Sequence, residues 1–354
     1  MTMKHRLTLL LLLVALAVQA RRNDNCYVVR AGDAADLLST IEKVNRQNAS
    51  PASKRTYILL PDGTYDLGSR VLTTITGHNV TVAGQSMNGT IIVNAPDIKD
   101  EGISKTATLR IRGNGTYLQD LTLKNALKYY ESGFAGRAVC LQDKGSRTIC
   151  KRVRMLSYQD TYYSDNEDAQ YYFEQAEIHG TVDFICGAGD AYFNRCALVT
   201  ERRSADGSGR NVIAAPRTSN TPWGYIFDHC VIYNRVSPFV YARAWKGTPH
   251  CVWLYTTLTS PEKLEAKRFE CQGMGTCQAD FREYKTQDSA GNIISPASNV
   301  LTFTLKDDSH TQQTILTDDE ARRYELKKIF PDWRPEKIVE REQRTISRLQ
   351  KRYL

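Results

Sequence analysis

The stretch Thr106–Asn125, TATLRIRGNGTYLQDLTLKN, joins short runs of apolar and β-branched residues through turns of Gly, Asn and Asp. Similar runs occur at residues 57–67 (YILLPDGTYDL), 79–86 (NVTVAGQS), 89–95 (GTIIVNA) and 211–219 (NVIAAPRTS). Helical periodicity is scarce between about residue 55 and residue 305. Because runs of four or five residues between turn signals suit the flat faces of a β-solenoid, the sequence predicts an all-β fold.

A loose repeat indicates that these strands stack as coils. Tyr117–Leu123 resembles Tyr172–Ile178, and a polar residue or cysteine recurs at intervals of 21 to 34 residues. The recurring positions are Asp120, Cys150, Gln175, Cys196, Cys230 and Cys251. Coils of about twenty residues with loops of variable length give such spacing, so we predict a right-handed parallel β-helix. The recurring cysteines are interpreted as small buried hydrophobes, not as a disulfide framework.

The ends of the chain differ from its middle. Residues Ala34–Gln47 carry apolar side chains at helical spacing, which predicts a helix that caps the terminal coil. The segment Thr317–Glu320 is typical of a helix N-terminus, and the highly charged segment after Pro335 predicts a solvated helix. We therefore predict a signal peptide at residues 1–20, a β-helix at residues 21–305 and a charged, helical C-terminal extension at residues 306–354.

The first residues predict a targeting segment. Lys4 and Arg6 precede an apolar run from Leu7 to Val18, and Val18 and Ala20 provide the small residues of a cleavage site. The apolar run is too short to span a bilayer comfortably. We therefore expect a protein that is secreted or periplasmic after removal of the signal peptide, without a membrane anchor.

Charge and cysteine content leave several classes of partner open. The formal net charge is +8, which on its own is compatible with nucleic acid, anionic lipid or an acidic polysaccharide. The nine cysteines are an odd number, and Cys271 and Cys277 in the loop CQGMGTC are the best candidates for a local disulfide. Their spacing differs from that of a zinc site, and no His cluster accompanies them, so no metal is expected.

Three polar residues are the candidates for chemistry. Arg137, Asp160 and Asp183 are separated by 23 residues each, which predicts that they occupy one face of successive coils. Neighbouring rungs of a β-sheet lie about 4.8 Å apart, so two aspartates there perturb each other's pKa. Such a pair can keep one carboxyl ionised and the other protonated. Ester hydrolysis needs that division, because a carboxylate attacks and an acid protonates the departing alkoxide.

Three segments resemble signature motifs of the pectin methylesterases. They are SYQDTYY (157–163), GTVDFICG (180–187) and YARAWK (241–246), and weaker similarity covers about residues 55–290. The resemblance implies removal of methyl esters from galacturonate units of pectin, an acidic polysaccharide, without a metal or organic cofactor. It implies no nucleic-acid partner, and since a solenoid has no obvious need to oligomerise, we expect a monomer.

The resemblance also assigns roles by position. Asp183 matches the nucleophile, Asp160 the proton donor and later base, Gln159 an amide that stabilises the oxyanion, and Arg243 the guanidinium that orients the nucleophile. Trp245 matches an aromatic residue that lines the sugar subsite. Tyr162 and Phe184 are expected to wall the cleft, with packing in the core as the alternative, and Arg137 is a further candidate for substrate binding.

The chain departs from the family pattern close to these residues. Arg137 stands where the family usually has Gln, Ala242 and Ala244 replace Gly and Pro, and Cys186 replaces Phe. Arg137 could donate to the oxyanion or to a substrate carboxylate, or pair with one of the two aspartates. These changes indicate another pectic substrate or reduced activity.

Two alternatives stay open. One is another pectin-degrading enzyme on the same scaffold, a lyase or a polygalacturonase. A lyase of this shape needs clustered carboxylates that hold calcium, whereas these aspartates have an arginine and apolar neighbours. The other is a non-catalytic or weakly active pectin-binding β-solenoid, which would keep Trp245 and a basic cleft while losing the carboxylates. The presence of both aspartates argues against it.

Overall fold

The computed structural model describes residues 25–97, 102–132, 136–218, 221–235, 237–271, 279–305 and 308–354. Within these residues, strands of successive coils pair in parallel, forming one sheet of 17 strands and another of eight, here called the large and the small sheet. An antiparallel hairpin follows them. The chain is therefore an all-β parallel β-helix, which confirms the predicted fold class.

The strands and short helices have the following bounds. The large sheet contains β1 (Cys26–Val28), β2 (Thr56–Leu60), β3 (Gly63–Asp66), β5 (Val80–Gly84), β6 (Thr90–Asn94), β8 (Tyr117–Asn125), β10 (Thr148–Leu156), β12 (Gln170–Glu174), β13 (Glu177–Gly180), β15 (Asp190–Asn194), β16 (Ala197–Thr200), β18 (Tyr225–Asp228), β19 (Val231–Asn234), β21 (His250–Leu254), β22 (Thr257–Leu258), β24 (Asp280–Tyr284) and β25 (Gln287–Asp288). The small sheet contains β4 (Thr73–Ile75), β7 (Leu109–Ile111), β9 (Leu141–Asp143), β11 (Tyr162–Ser164), β14 (Val182–Gly187), β17 (Asn211–Pro216), β20 (Phe239–Arg243) and β23 (Phe269–Glu270). The hairpin is β26 (Val300–Leu305) with β27 (Asp308–Gln313), and 3₁₀ turns occupy Ile103–Lys105, Tyr129–Glu131, Pro261–Lys263 and Arg322–Tyr324.

Like residues stack on like inside the β-helix. Phe173, Phe193, Phe227 and Trp253 occupy equivalent positions in β12, β15, β18 and β21. Their rings are stacked with centroid separations of 4.6, 4.6 and 3.9 Å. In parallel strands that pair in register, equivalent side chains lie above one another on successive rungs. Such columns therefore fill the interior continuously and also fix the register of the outer face.

A column of left-handed residues forms one corner of the coils. The residues there have φ between 48° and 53° and are Asp120, Arg152, Gln175, Arg195, His229, Tyr255 and Lys285. This conformation costs about 1 kcal/mol for a residue with a Cβ, and contacts between neighbouring corners offset part of that cost. Asp120 forms an ion pair with Arg152 at 2.5 Å, and the rings of His229 and Tyr255 stack at 4.6 Å.

The repeat inferred from sequence is confirmed for Tyr117–Leu123 and Tyr172–Ile178, which pair with β10 in the same register. The set of recurring polar or cysteine positions, however, joined residues of different columns. Asp120 and Gln175 lie at the left-handed corner, Cys150 pairs with Phe173, and Cys251 pairs with Tyr225. Cys196 and Cys230 do occupy equivalent positions, each directly before the paired residues of β16 and β19. The error arose because loops of unequal length separate the strands. Similar spacing in the sequence therefore does not mean an equivalent position on the coil.

The interpretation of the cysteines themselves is confirmed. Cys150, Cys196, Cys230 and Cys251 are buried free thiols, and so are Cys140 and Cys186. Each therefore serves as a small apolar filler between rungs. The disulfide predicted between Cys271 and Cys277 involves a residue outside the described part of the chain.

Helices lie at the N-terminal end of the β-helix and against the face of the large sheet. Helix α1 spans Ala34–Gln47, as predicted, with Asp33 as its N-cap, and its Leu37, Ile41 and Val44 are buried in the main core. Near the C-terminus lie α2 (Asp318–Ala321), α3 (Leu326–Ile329) and α4 (Pro335–Tyr353). Thr317 and Glu320 form the capping box that the sequence predicted.

The predicted boundary at residue 305 falls at the turn of the β26–β27 hairpin, so the hairpin spans both predicted parts. The predicted signal peptide, residues 1–20, lies outside the described residues. No helix in the described ranges is long and apolar enough to cross a membrane.

Candidate active site

The two candidate aspartates occupy equivalent positions on neighbouring rungs of the small sheet. Tyr162 of β11 pairs with Ile185 of β14, so the same offset of 23 residues relates Asp160 to Asp183. Both have positive φ, 60° for Asp160 and 52° for Asp183. The 23-residue spacing therefore places the two aspartates on neighbouring rungs, as predicted.

A bulge gives Asp183 its orientation. The pairing of β14 with β17 shifts by one residue between Val182 and Ile185, which places Asp183 in the irregular segment. An extra residue in one strand bends it locally and re-aims its side chains. Asp183 thereby leaves the regular alternation of its strand.

Arg243 holds the carboxylate of Asp183 in a fork. The Nε of Arg243 donates to Oδ1 of Asp183 at 2.7 Å, and its Nη2 donates to Oδ2. Arg243 is the last residue of β20, two rungs beyond Asp183, and Asp183 is only 3% exposed. Two parallel charge-assisted hydrogen bonds fix both the position and the charge of this carboxylate.

Asp160 has a different environment at the same depth. It is 5% exposed, and within the described chain its side chain receives one hydrogen bond, from the Cys186 thiol at 3.8 Å. Burial, and then the neighbouring charge of Asp183, raise the pKa of Asp160 well above its usual value, against the opposing charges of Arg137 and Arg243. Burial also raises the pKa of Asp183, but its hydrogen bonds to Arg243 oppose that rise. The pair is thus biased towards a protonated Asp160 beside an ionised Asp183.

Arg137 and Gln159 lie side by side next to this pair. Arg137 forms a parallel bridge with Gln159, and both are half-buried. The predicted 23-residue ladder from Arg137 to Asp160 is therefore wrong by one residue, because the coil that joins them is one residue shorter. Arg137 is still close enough for its charge to lower the pKa of Asp160.

Tyr162 and Phe184 do not line the cleft, which corrects their predicted role in substrate binding. Both are 0% exposed and belong to the main core. Tyr162 packs against Phe173 with ring centroids 4.7 Å apart. Side chains alternate along a strand, so an inward Tyr162 leaves its neighbour Tyr163 on the outer face.

An aromatic wall lies on that outer face. Half-buried Trp245 packs with Tyr163 and Cys186, and the two rings are 6.1 Å apart. The guanidinium of Arg217 lies 5.5 Å from the centre of the Trp245 ring and forms ion pairs with Asp165 and Glu167. Of these aromatic and basic residues, the sequence analysis predicted Trp245 as a substrate-binding residue. Tyr163 and Arg217 were missed, although both lie inside quoted motifs.

A cluster of three tyrosines lies on the other side of the aspartates. Tyr129 stacks on Tyr158 with ring centroids 4.7 Å apart, and Tyr130 meets both rings edge-on. Arg203 donates to the Tyr129 hydroxyl at 2.5 Å, and its charge opposes the rise in the pKa of Asp183. The sequence analysis missed this cluster, because Tyr129 and Arg203 are 74 residues apart.

A metal-binding cluster is not found in the described ranges: no three or more His, Cys, Asp or Glu residues are grouped to hold an ion. The charged groups near the aspartates include Arg137, Arg203 and Arg243, while the acidic Glu270 adds to the rise in the pKa of Asp183. Chemically, the site combines a fixed carboxylate, a neighbouring carboxyl of raised pKa, and guanidinium and amide donors.

Comparisons with known proteins agree with this geometry. The family model described as Pectinesterase matches residues 27–260, about two thirds of the chain. Probable pectinesterase 49 of Arabidopsis thaliana is 26% identical over 231 residues, which cover 65% of this chain and 60% of that protein. Probable pectinesterase 50 of the same plant is 28% identical over 259 residues, 68% of this chain and 69% of that protein. The chain thus spans about 60 to 70% of the length of these relatives.

A solved structure described as pectin methylesterase in complex with hexasaccharide VII superposes with a TM-score of 0.64. It is 24% identical, and the match covers 83% of this chain and 93% of that one, which shows a shared fold. Together with the two motif aspartates on adjacent rungs, the family-model match establishes that the chain belongs to the pectinesterase family.

Proposed function

We propose that this protein hydrolyses methyl esters of galacturonate units in pectin. The observation that carries the proposal is the pair of buried aspartates on neighbouring rungs, one held by Arg243 and the other of raised pKa. Membership of the pectinesterase family supports the same reaction. The environment of each residue supports the role proposed for it.

The first step forms an acyl-enzyme. A carboxylate oxygen of Asp183 attacks the ester carbonyl carbon, and the carbonyl oxygen takes up the negative charge. When the tetrahedral intermediate collapses, the bond to the methoxy oxygen breaks and Asp160 gives that oxygen its proton. Methanol leaves, a mixed anhydride joins Asp183 to the sugar, and Asp160 is left ionised.

The second step consumes water. Ionised Asp160 takes a proton from a water molecule, whose oxygen attacks the carbonyl carbon of the anhydride. The bond to Asp183 breaks, so Asp183 returns as a carboxylate next to Arg243 and the sugar leaves as a free acid. Both aspartates recover their starting protonation states, and the net reaction is ester plus water to acid plus methanol.

Gln159 and Arg137 are the donors proposed for the oxyanion. They lie next to each other beside Asp160, on the bridge that joins their two coils. A fixed donor is worth about 3 to 4 kcal/mol when it points at developing negative charge. Trp245, with Tyr163 beside it, is proposed to contact a sugar ring. The solved relative bound to a hexasaccharide supports a polysaccharide substrate.

We further propose that the protein is exported and acts as a monomer. The basic, apolar and small residues of the first 20 positions support export. Pectin is an extracellular polymer, so export would bring enzyme and substrate together.

Methanol release tests the proposed reaction. Purified protein is incubated with methyl-esterified pectin, in parallel with Asp183→Asn and with Asp143→Asn as a matched control. Asp143 is another buried aspartate of the small sheet, but it faces the core. We expect release by the wild type and by the control, and essentially none by Asp183→Asn. Binding to pectin without methanol from any esterified galacturonate would favour the non-catalytic alternative and overturn the proposal.

A further inference from the structure

Helix α4 carries a stripe of basic residues along one face. Lys337, Arg341, Arg344, Arg348 and Lys351 follow one another at intervals of 4, 3, 4 and 3 residues, and all five are exposed. This spacing keeps side chains on one side of a helix. At 1.5 Å per residue the stripe is about 21 Å long. We call these five residues the basic stripe.

The basic stripe lies opposite the face by which the helix is attached. The buried residues of α4 show the same spacing and are Pro335, Val339, Glu342, Ile346 and Leu349. Each stripe residue follows a buried one by two positions. With 3.6 residues per turn, two positions correspond to a rotation of about 200°, so the stripe points directly away from the β-helix.

The attachment holds the stripe in one orientation. Glu342 accepts a hydrogen bond from the Tyr57 hydroxyl at 3.0 Å and forms an ion pair with Arg55 at 3.6 Å. Near the other end of the helix, the side-chain amide of Gln350 donates to the carbonyl of Gly84 at 2.7 Å. Ile346 and Leu349 are buried between these two anchors. The five cations are therefore displayed on a fixed scaffold.

The charge at the C-terminal end of the stripe is largely unopposed. Among the described residues, the ion pairs of α4 and its N-cap are those of Arg334 with Glu336, Arg341 with Glu342, and Arg55 with Glu342. Residues 343–354 contain no Asp or Glu. Arg348 and Lys351 thus have no acidic residue one turn away on the helix, whereas Glu340 lies one turn before Arg344.

We propose that the basic stripe binds de-esterified galacturonan, the anionic product of the proposed reaction, on which this inference rests. Each de-esterified unit carries one carboxylate, whereas a methylated unit carries none, so a row of fixed cations complements the product. The stripe has no aromatic residue for stacking on nucleic-acid bases. It also lacks the apolar face that a membrane-surface helix needs, because that face of α4 is buried on the protein.

The location of the stripe separates it from the chemistry. Helix α4 packs over the large sheet, on residues that include Tyr57 and Tyr117, whereas Asp183 lies in β14 of the small sheet and Asp160 just before β11. A polymer on the stripe therefore leaves the candidate active site free. The enzyme would stay attached to stretches that have already lost their esters while it processes others.

A binding measurement tests this surface. Retardation of the protein is measured in gels that contain polygalacturonate or highly methylated pectin. The variant Arg344→Gln/Arg348→Gln/Lys351→Gln is compared with Arg46→Gln/Lys54→Gln/Arg70→Gln, which removes two arginines and one lysine from exposed positions elsewhere. We expect roughly tenfold weaker binding to polygalacturonate for the stripe variant, since exposed ion pairs are individually weak. The control should bind like wild type, and added salt should weaken binding.

Methanol release from a short methylated oligosaccharide separates this inference from the proposed function. The stripe variant should release methanol from it at the wild-type rate, because the stripe lies away from the active site. Equal weakening in the control variant, equal retardation by methylated pectin, or tighter binding of a single-stranded oligonucleotide would each overturn the stripe proposal. Absence of methanol from every protein tested would overturn the proposed function and leave the polygalacturonate result to be judged alone.

Discussion

Asp160, next to the small sheet, and Glu342, on helix α4 against the large sheet, are two buried carboxyl groups. Glu342 is 1% exposed and has Arg55, Arg341 and the Tyr57 hydroxyl as partners. Asp160 is 5% exposed, and its neighbours include a thiol and a second aspartate. The carboxyl group of Glu342 is thus surrounded by cations, whereas that of Asp160 is next to a second carboxyl group.

This difference separates a structural carboxylate from a reactive one. Buried charge is tolerated when hydrogen bonds and opposite charges compensate for the loss of water, as they do around Glu342. Around Asp160 the compensation is incomplete, so the group keeps its proton to a higher pH. A proton held in this way is available to a leaving group. The comparison therefore predicts loss of activity at one site and loss of stability at the other.

The largest effect is expected from Asp160→Asn. The amide keeps the shape of the side chain but cannot donate a carboxylic proton or later accept one. We expect kcat for methanol release to fall about 10²- to 10⁴-fold, the usual contribution of a general acid–base group. Thermal unfolding should occur at or above the wild-type temperature, because a buried carboxyl is removed. A variant with near wild-type kcat would remove Asp160 from the mechanism.

Glu342→Ala should act on stability instead. The change leaves the guanidinium of Arg55 partly buried without its carboxylate, although Thr81 and the carbonyl of Gly115 still accept hydrogen bonds from it. We expect the free energy of unfolding to fall by about 3 kcal/mol, measured by denaturant titration. Glu340→Ala, an exposed position on the same helix, should change it by less than about 0.5 kcal/mol. Equal losses in both variants would show that the ion pair with Arg55 is not responsible.

Asp143 tests the effect of burial on a carboxyl group that has no charged partner among the described residues. Burial raises its pKa to about 7, so the folded protein binds a proton that the unfolded chain releases near pH 4. The contribution of Asp143 to the free energy of unfolding is therefore largest at low pH and is lost as the pH rises towards 7. The loss between pH 5 and pH 7 should be about 2 kcal/mol. Asp143→Asn should remove that slope from the pH dependence of unfolding; an unchanged slope would assign it to other groups.

Arg137→Gln is expected to have the smallest effect. If the positive charge adapts the site to a particular pectin, the variant should gain activity on simple pectin relative to decorated pectin. A partly exposed charge contributes about 1 kcal/mol or less, so the ratio of kcat/KM values should shift by up to about fivefold. A ratio equal to that of wild type would show that Arg137 does not determine specificity.

The sequence predicted the fold and the pair Asp160–Asp183 because both depend on register. Short strands between turn residues imply stacked coils, and a 23-residue offset between two motif residues becomes adjacency when their coils have equal length. The same reasoning was wrong for Arg137, whose coil is one residue shorter. A motif sequence does not show the length of the loop that separates it from the next rung.

The direction in which a side chain points was the other feature that the sequence did not predict. Tyr162 and Tyr163 are identical neighbours, and only the register of β11 with β9 and β14 decides which one is buried. The tyrosine cluster and Arg203 come from loops far apart in sequence, so no local pattern announces them. Helix α4 shows the same limit, since the sequence predicted a charged, solvated helix but not the surface that the helix covers.

The central claim is that Asp160 is protonated while Asp183 is ionised at the same pH. The pH dependence of kcat/KM for methanol release from a short methylated oligosaccharide tests it most directly. The account predicts a bell-shaped profile whose acid limb reports ionisation of the pair to one carboxylate and whose alkaline limb reports loss of the remaining proton. The alkaline limb should disappear in Asp160→Asn. A wild-type rate that keeps rising through the alkaline range would contradict the account, because no protonated carboxyl would then be required.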